Sequence, residues 1–140
     1  MSGTVEINWV RGKMFAGRDS FGNAIVIGST PGDEIQFKGV KPSDLLVLSL
    51  LACSSYDVVE IIEKQRHHIF SIRVTATSQQ QSEPPYAFEK IHLHYQVHAE
   101  GLTVQQLRRA IELSETKYCS VYNTLKPSVE LSSDFELVGA

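Results

Sequence analysis

The chain has 140 residues, of which 42% are hydrophobic, and this length corresponds to one ordinary domain. A domain of this size buries enough core to fold without disulfides or a structural metal, which excludes collagen-like, mini-protein and disordered classes. The 13 basic and 16 acidic residues give a net charge of −3, and no basic cluster is large enough to neutralise several phosphates. Nucleic acid is therefore excluded as a partner.

Neither a membrane helix nor a targeting segment is predicted. The longest apolar run, Leu45 to Cys53, is interrupted by Ser49 and is shorter than the ~20 residues that span a bilayer. The first residues lead directly into an alternating pattern, without the charged and apolar regions of a signal peptide. We therefore expect a cytoplasmic protein without membrane contacts, whose two cysteines begin as thiols.

The N-terminal part of the chain predicts a meander of about three short strands. Apolar and polar residues alternate from Val5 to Trp9, and a second apolar run, Ala24 to Ile27, follows a group of turn-forming residues. The next segment, Thr30 to Lys41, is rich in glycine and other turn formers and has no sustained period. It predicts a loop.

A long helix is predicted from Pro42 to about Arg66. Proline suits the first helical position, because the amide hydrogen that it lacks would have no partner there. The first half of the helix is apolar on almost every face, and the second half is amphipathic. Such a helix is buried on most sides. One subunit with a small sheet covers too little of it, so we expect a second subunit to cover the remainder.

Alternation returns in two longer segments, Ile69 to Thr77 and Phe88 to Ala99, which predict two strands. Thr103 is the predicted N-cap of a helix, and Tyr118 to Leu125 predict a second helical piece. A last strand is predicted from Val129 to Val138.

Three residues of this last strand, Ser132 to Asp134, predict a bulge. The complete order of elements predicts a single α+β domain over residues 1–140, in which helices pack against antiparallel sheet.

Three histidines, His92, His94 and His98, share one face of a predicted strand. The His-x-His spacing can bind zinc, but no acidic or cysteine ligand adjoins it in the sequence. The simpler interpretation is a solvated or interface-facing strand face. We therefore predict no metal site and no cofactor.

The two cysteines are the residues best suited to carry chemistry. Cys53 lies in the apolar half of the long helix, and each cysteine taken alone is more simply a buried core residue. Asp57 and Glu60 follow Cys53 by one and two helical turns, and negative charge disfavours a thiolate. Lys117 favours a thiolate at Cys119.

Two segments resemble the OsmC/Ohr family of thiol-dependent peroxidases. The first, Gly39 to Ser54, joins a proline-led helix to a cysteine, and the second, Ala110 to Val121, contains a Tyr-Cys pair. The resemblance covers nearly the whole chain and is greatest to the OsmC-related branch. It implies an intertwined homodimer, in which long central helices are wrapped by antiparallel sheets from both chains and the reactive site lies at the interface.

The resemblance implies a role for each cysteine in defence against oxidative stress. Cys53 attacks the O–O bond of an organic hydroperoxide and becomes a sulfenic acid, and Cys119 resolves it to a disulfide. An external thiol reductant then restores both thiols. The substrate is a small hydroperoxide with an apolar tail, since four residues are expected to form apolar walls around Cys53: Leu46, Leu50, Tyr56 and Tyr118.

The resemblance also implies an arginine and an acidic residue that support the thiolate. We assign the arginine to Arg18, with Arg11 and Lys13 as alternatives in the same meander. The hydroperoxide reductases of the family carry a glutamate directly after the helix-opening proline. Here Ser43 occupies that position, and Asp44 follows, rotated by about 100° around the helix.

Two other functions are consistent with the same residues. One is a non-catalytic dimeric protein that binds a small apolar or thiol-bearing ligand, which Ser43 at the glutamate position favours. The other is a redox-sensing dimer, in which a disulfide between Cys53 and Cys119 is the signal. Consumption of a hydroperoxide distinguishes the enzyme from both.

Overall fold

The computed structural model describes residues 3–28 and 39–139 of the chain. It is a mixed α+β structure, as predicted, and it divides into two units, Met1–Leu46 and Val47–Ala140. In chain order the elements are β1 (Glu6–Arg11), β2 (Met14–Arg18), β3 (Ala24–Ile27), α1 (Pro42–Lys64), β4 (Ile69–Gln80), β5 (Phe88–Ala99), α2 (Val104–Leu113), a π-helix (Ser114–Tyr118), α3 (Ser120–Leu125) and β6 (Glu130–Leu137).

Strands β1, β2 and β3 form an antiparallel meander in the first unit, which confirms the prediction for this part of the chain. Gly12 turns the chain between β1 and β2 with a φ of 53°, a left-handed conformation that costs glycine little. The loop predicted from Thr30 to Lys41 falls largely on residues 29–38, outside the described residues. Near its end, Val40 forms an isolated parallel bridge with Ile27.

Helix α1 begins at Pro42, as predicted, and ends at Lys64, slightly before the predicted Arg66. Arg66 has a φ of 64°, a left-handed conformation typical of the residue that ends a helix. Buried residues recur at every fourth position of α1, which keeps them on one face of the helix: Leu50, Ser54, Val58 and Ile62. Within one chain the fully buried residues of the helix therefore lie along a single stripe, and cover of the other faces by a second subunit stays a prediction.

Helix α1 is long and apolar enough, by length and composition, to cross a membrane. The sequence prediction counted only the apolar run that ends at Cys53, and it did not count the apolar residues of the amphipathic second half toward a membrane span. The buried stripe of α1 belongs to the hydrophobic core of the second unit. A core helix passes the same test of length and hydropathy, and one face of α1 contributes to this core.

The second unit contains a sheet with β5 at its centre. Strand β4 pairs antiparallel with β5, as expected, but β6 pairs parallel with β5 and not antiparallel. The physical reason lies in the segment between β5 and β6, which is helical. Parallel strands need such a crossover, whereas a short turn joins antiparallel ones. The predicted bulge at 132–134 is wrong, since the pairing continues in step from Lys90↔Glu130 to Val97↔Leu137.

Helix α2 begins at the predicted cap. The side chain of Thr103 accepts a hydrogen bond from the Gln106 amide at 3.1 Å, and the Gln106 side chain accepts one from the Thr103 amide at 3.0 Å. The second helical piece is not continuous as predicted. The π-helix ends at Tyr118, Cys119 is extended, and α3 begins at Ser120.

The core of the second unit lies between the sheet and the helices. Alternate residues of β5 are fully buried on the side that carries the helices: Ile91, Leu93, Tyr95 and Val97. They belong to the same core cluster as the buried stripe of α1 and the apolar face of α2. This packing joins α1 to the segment that carries Cys119.

Histidine and carboxylate side chains alternate across the other face of this sheet. Asp134 Oδ1 lies 3.0 Å from His92 Nε2 and 2.7 Å from His94 Nδ1, and Glu136 Oε1 lies 3.3 Å from His94 Nε2. The predicted polar strand face thus has acidic neighbours, supplied by the parallel strand β6. Among the described residues, no group of three or more His, Cys, Asp or Glu could hold a metal ion.

Each ring nitrogen of His94 faces a carboxylate. The charged imidazolium fits this environment best, because both of its nitrogens are hydrogen-bond donors. The hydrogen bond with Asp134, followed by that with Glu136, raises the pKa of His94. The hydrogen bonds with His94 and His92 lower the pKa of Asp134, and those with Gln96 and His94 lower the pKa of Glu136. These ion pairs therefore make the stability of the sheet depend on pH.

We expect His94→Gln to lower the free energy of unfolding most between about pH 4.5 and pH 6.5. Charged His94 stabilises the fold below its ordinary pKa, and this contribution is lost as pH rises through the raised value. The carboxylates contribute above their ordinary values and lose their effect as pH falls through the lowered values. Urea unfolding over a pH series measures the difference. His98→Gln is the control, since His98 packs on Phe70 at 4.7 Å. A His94→Gln effect independent of pH would contradict this assignment.

Candidate active site at Cys53 and Cys119

The structure brings the two cysteines together in the second unit, and both are free thiols. Cys53 lies on α1 and is half-buried, whereas Cys119 is fully buried between the π-helix and α3. Burial, followed by the adjoining side chain of Cys53, raises the pKa of Cys119. The pair is therefore asymmetric, with one accessible sulfur and one sulfur held in the core.

Two hydrogen-bond donors point at the Cys119 sulfur. The Ser54 hydroxyl donates to Cys119 Sγ at 3.5 Å, and the Tyr122 backbone N–H donates to it at 3.3 Å. Both donors stabilise a thiolate, so they oppose the effect of burial without cancelling it. Cys53 Sγ lies 3.9 Å from the hydroxyl of Ser120.

The π-helix sets the position of Cys119. Its wide turn ends with a hydrogen bond from the Cys119 amide to the Ser114 carbonyl at 2.8 Å. The side-chain amide of Asn123 then donates to the carbonyls of Glu115 at 3.0 Å and Cys119 at 2.8 Å. One side chain thus holds both ends of the segment that carries the buried thiol.

Ser114 attaches the π-helix to α1. Its hydroxyl is fully buried and lies 3.0 Å from Asp57 Oδ2 and 3.2 Å from the carbonyl of Ser54. Glu60 is engaged elsewhere, since Lys64 Nζ lies 3.2 Å from its carboxylate. Asp57 and Glu60, the two acidic residues that the sequence analysis set against a Cys53 thiolate, therefore each have a partner of their own.

Two polar residues near Cys119, Tyr95 and Glu115, were not among the sequence candidates, and Tyr122 lies beside them. Burial raises the pKa of Glu115 and of Tyr95, and it raises the pKa of Tyr122 to about 12. The Tyr95 hydroxyl and Glu115 Oε1 are buried and have no hydrogen-bond partner among the described residues. The sequence carries no signal for them, because Tyr95 follows the ordinary alternation of a strand and Glu115 the ordinary composition of a helix.

The two residues predicted to support the thiolate lie in the first unit. Arg18 is on β2, where its guanidinium donates to the Gly22 carbonyl at 3.1 Å and lies 4.0 Å from Glu6. Asp44 is exposed in the first turn of α1. Their assignment to the site stays a prediction.

The four residues predicted as apolar walls differ in burial. Leu50 is buried in the core, but Leu46, Tyr56 and Tyr118 are exposed, Tyr56 to 74%. A groove of about 350 Å³ lies beside the site, and its lining includes Asp57, Leu113 and Tyr118. It carries charged as well as apolar side chains.

The chain is similar to several known proteins over nearly all of its length. The family described as OsmC-like protein matches residues 32–134. Protein YhfA from Escherichia coli K12 is 33% identical over 134 residues, which cover 96% of this chain and 97% of YhfA.

Solved structures agree with this match. A hypothetical protein from Aquifex aeolicus has a TM-score of 0.82 at 27% identity and covers 99% of both chains. The organic hydroperoxide resistance protein OhrB of Bacillus subtilis has a TM-score of 0.64 at 12% identity, with coverage of 97% of this chain and 98% of OhrB. The likeness to OhrB concerns the fold alone.

We expect Asn123→Ala to lower the free energy of unfolding by about 1–3 kcal/mol, because it removes both side-chain hydrogen bonds of Asn123 and leaves the Cys119 carbonyl with only the backbone N–H of residue 123. The Cys119 thiol becomes more accessible as the π-helix loosens, so it is alkylated faster. Urea unfolding and alkylation of a Cys53→Ser background measure the two effects. Thr124→Ala, an exposed substitution on the same helix, is the control. Equal behaviour of the two variants would contradict the role of Asn123.

Proposed function

The chain belongs to the OsmC-like protein family, and from this premise we propose that it is a thiol-dependent peroxidase that reduces organic hydroperoxides. The observation that carries the proposal is the adjoining cysteine pair, with Cys53 half-buried and Cys119 fully buried. Such an asymmetric pair suits a peroxide-reducing thiol and a resolving thiol. OhrB, which shares this fold, is named for organic hydroperoxide resistance, and the proposal extends that substrate class to this chain.

The reaction has three steps. The Cys53 thiolate attacks one oxygen of the hydroperoxide, the O–O bond breaks, and the alcohol leaves with a proton while Cys53 becomes a sulfenic acid. The sulfur of Cys119 then attacks the Cys53 sulfur, which forms the disulfide and releases water. An external dithiol reduces the disulfide and is itself oxidised. We place this cycle in the cytoplasm, where thiol reductants are available.

The surroundings of Cys119 suit the reductive step. When the external thiol attacks the Cys53 sulfur, Cys119 leaves as a thiolate, and the donors Ser54 and Tyr122 already point at its sulfur. A stabilised leaving thiolate departs faster. We assign Arg18 and Asp44 to the support of the Cys53 thiolate, on the resemblance of their sequence positions to the family pattern.

The proposed enzyme is a homodimer. Exposed residues on α1 recur at every fourth position: Leu48, Ala52 and Tyr56. Leu48 and Tyr56 are large apolar side chains. This exposed stripe is offset by two residues, about 200°, from the buried stripe that contains Leu50 and Ser54. The helix therefore presents an apolar face away from its own core, and a second copy of the chain would cover it.

A second candidate is a non-catalytic dimer that binds a small apolar or thiol-bearing ligand. One observation favours it, namely that Ser43 occupies the position of the glutamate in the hydroperoxide reductases, while Asp44 is exposed. In that case the cysteines bind or sense the ligand without turnover.

We expect the protein to consume an organic hydroperoxide in the presence of a dithiol, and we expect Cys53→Ser to abolish this activity. Cys119→Ser should retain a single turnover that leaves a sulfenic acid on Cys53, because the resolving thiol is absent. Peroxide consumption and a sulfenic-acid-specific dimedone label, read by mass spectrometry, measure both results.

The matched control for these variants is Ser55→Ala, which removes a hydroxyl from the same turn of α1 without removing a thiol. It should retain the activity. If the wild-type protein consumes no hydroperoxide but its thiols bind a ligand stoichiometrically, the peroxidase proposal is wrong and the binding protein is favoured.

We expect sedimentation at micromolar concentration to show a dimer and Leu48→Glu to produce monomers, because a buried charge at an apolar interface costs several kcal/mol. Gln105→Glu, on the exposed face of α2, adds the same charge and should leave the dimer intact. A folded wild-type monomer at this concentration would contradict the proposed assembly.

A further inference from the structure

Each cysteine of the candidate site is followed by a serine whose hydroxyl approaches the sulfur of the other cysteine. Ser54 follows Cys53 on α1, and its hydroxyl donates to Cys119 Sγ at 3.5 Å. Ser120 follows Cys119 at the start of α3, and its hydroxyl lies 3.9 Å from Cys53 Sγ. The two Cys-Ser pairs therefore make crossed contacts, and each sulfur has a hydroxyl beside it.

The crossed contacts follow from the local structure of both segments. Consecutive residues of an α-helix are rotated by about 100°, so Ser54 lies in the buried stripe of α1 while Cys53 is only half-buried. Cys119 is extended and caps α3, since its sulfur accepts a hydrogen bond from the Tyr122 N–H at 3.3 Å. Ser120 is then the first residue of α3, and it is exposed. One hydroxyl is thus held in the core, and the other lies beside the accessible sulfur.

Charge on the Cys119 sulfur depends on donors inside the protein. Ser54 and Cys119 are both fully buried, so solvent does not contact the sulfur. Burial raises the pKa of this thiol, whereas a donor to the sulfur favours the charged form. The Ser54 hydroxyl and the Tyr122 N–H both donate to the sulfur. Ser54 is therefore the side chain on which the stability of a Cys119 thiolate depends.

Ser120 has the corresponding place beside Cys53. Either group can be the donor while Cys53 is a thiol, but a thiolate only accepts, so the hydroxyl then donates to it. This contact is longer than that of Ser54, and Ser120 is exposed to water, which competes as a donor. We therefore expect a smaller effect of Ser120 than of Ser54.

Reduction of the disulfide by an external dithiol releases two thiolates in turn. One thiolate of the dithiol attacks the accessible Cys53 sulfur, the bond between Cys53 and Cys119 breaks, and Cys119 leaves as a thiolate. The second sulfur of the dithiol then attacks the first, the mixed disulfide breaks, and Cys53 leaves as a thiolate. The dithiol is oxidised to a cyclic disulfide, and the two protons that it loses are those that the protein thiolates take up.

We propose that Ser54 and Ser120 are the hydrogen-bond donors for the two thiolates that leave in turn during this reduction, Ser54 for Cys119 and Ser120 for Cys53. The proposal rests on the cysteine chemistry proposed above. It assigns each serine to one step, because each hydroxyl contacts one of the two sulfurs. A leaving thiol of lower pKa departs faster, so each donor accelerates its own step.

The first test measures the opening of the disulfide without any hydroperoxide. Diamide forms the disulfide by taking two electrons and two protons from the two thiols. The oxidised protein is mixed with excess dithiothreitol and quenched in acid at successive times, and its intact mass then gives the fraction of disulfide that remains. The variants are Ser54→Ala and Ser120→Ala, and the matched controls are Ser55→Ala and Thr124→Ala, which each remove a hydroxyl from the same helix.

We expect the disulfide of Ser54→Ala to open ~3- to 10-fold more slowly than that of the wild type, because Cys119 leaves with one donor fewer. Ser120→Ala should open at close to the wild-type rate, since Cys53 leaves only in the second step. Both controls should open at the wild-type rate. Alanine is a good helix former, so these variants should keep the fold.

The second test measures the stability of each thiolate separately. The pKa of Cys119 is titrated in a Cys53→Ser background and that of Cys53 in a Cys119→Ser background, from the ultraviolet absorbance of the thiolate. The cysteine-free variant provides the blank. Ser54→Ala should raise the pKa of Cys119, and Ser120→Ala should raise the pKa of Cys53 by a smaller amount. A merely structural role for the serines would not produce this crossed pattern.

The proposal would be overturned if the disulfide of Ser54→Ala opened at the wild-type rate, or if each substitution changed only the thiol that precedes it in the chain. A wild-type protein in which diamide forms no disulfide would overturn it together with the peroxidase. A protein that shows the crossed pattern but consumes no hydroperoxide refutes the peroxidase and supports the assignment of both serines.

Discussion

The contact between Ser54 and Cys119 joins two parts of the chain that are remote in sequence. Ser54 lies in the fully buried stripe of α1, and a hydroxyl in an apolar core requires a partner. The Cys119 sulfur supplies that partner at 3.5 Å. Ser114 strengthens the junction, since its hydroxyl lies near the Ser54 carbonyl and the Asp57 carboxylate. The positions of both thiols depend on this junction.

The topology of the second sheet explains why the junction exists. Because β6 is parallel to β5, the chain between them must cross one face of the sheet. That crossover consists of α2, the π-helix and α3, and the buried stripe of α1 belongs to the same core. Cys119 lies in the middle of the crossover. A hairpin between β5 and β6 would have left no segment to meet α1.

Burial and hydrogen bonding act in opposite directions on Cys119. Burial removes water from the sulfur and disfavours its charge, while two donors favour that charge. Burial is the larger effect, so the thiol keeps its proton until a reaction requires it to leave. Cys53 is half-buried and accessible. In the proposed cycle the accessible sulfur of Cys53 therefore attacks the peroxide, and the buried sulfur of Cys119 resolves the sulfenic acid.

The sequence by itself predicted the elements whose signals are local. The structure confirms four of these predictions: the N-terminal strands, the start of α1 at its proline, the bounds of β5 at Phe88 and Ala99, and the cap of α2 at Thr103. Each of them depends on residues that are near neighbours in the chain. The family resemblance added the pairing of Cys53 with Cys119, and the structure places them side by side.

Only the tertiary structure decided the rest. The direction of β6 leaves no mark on its alternation, since a strand has the same period whichever way its neighbour runs. The direction and register of β6 together place Asp134 and Glu136 beside the histidines. Tyr95 and Glu115 acquire their unusual surroundings from the packing of distant elements, because desolvation depends on what surrounds a side chain in space and not on which residues precede it.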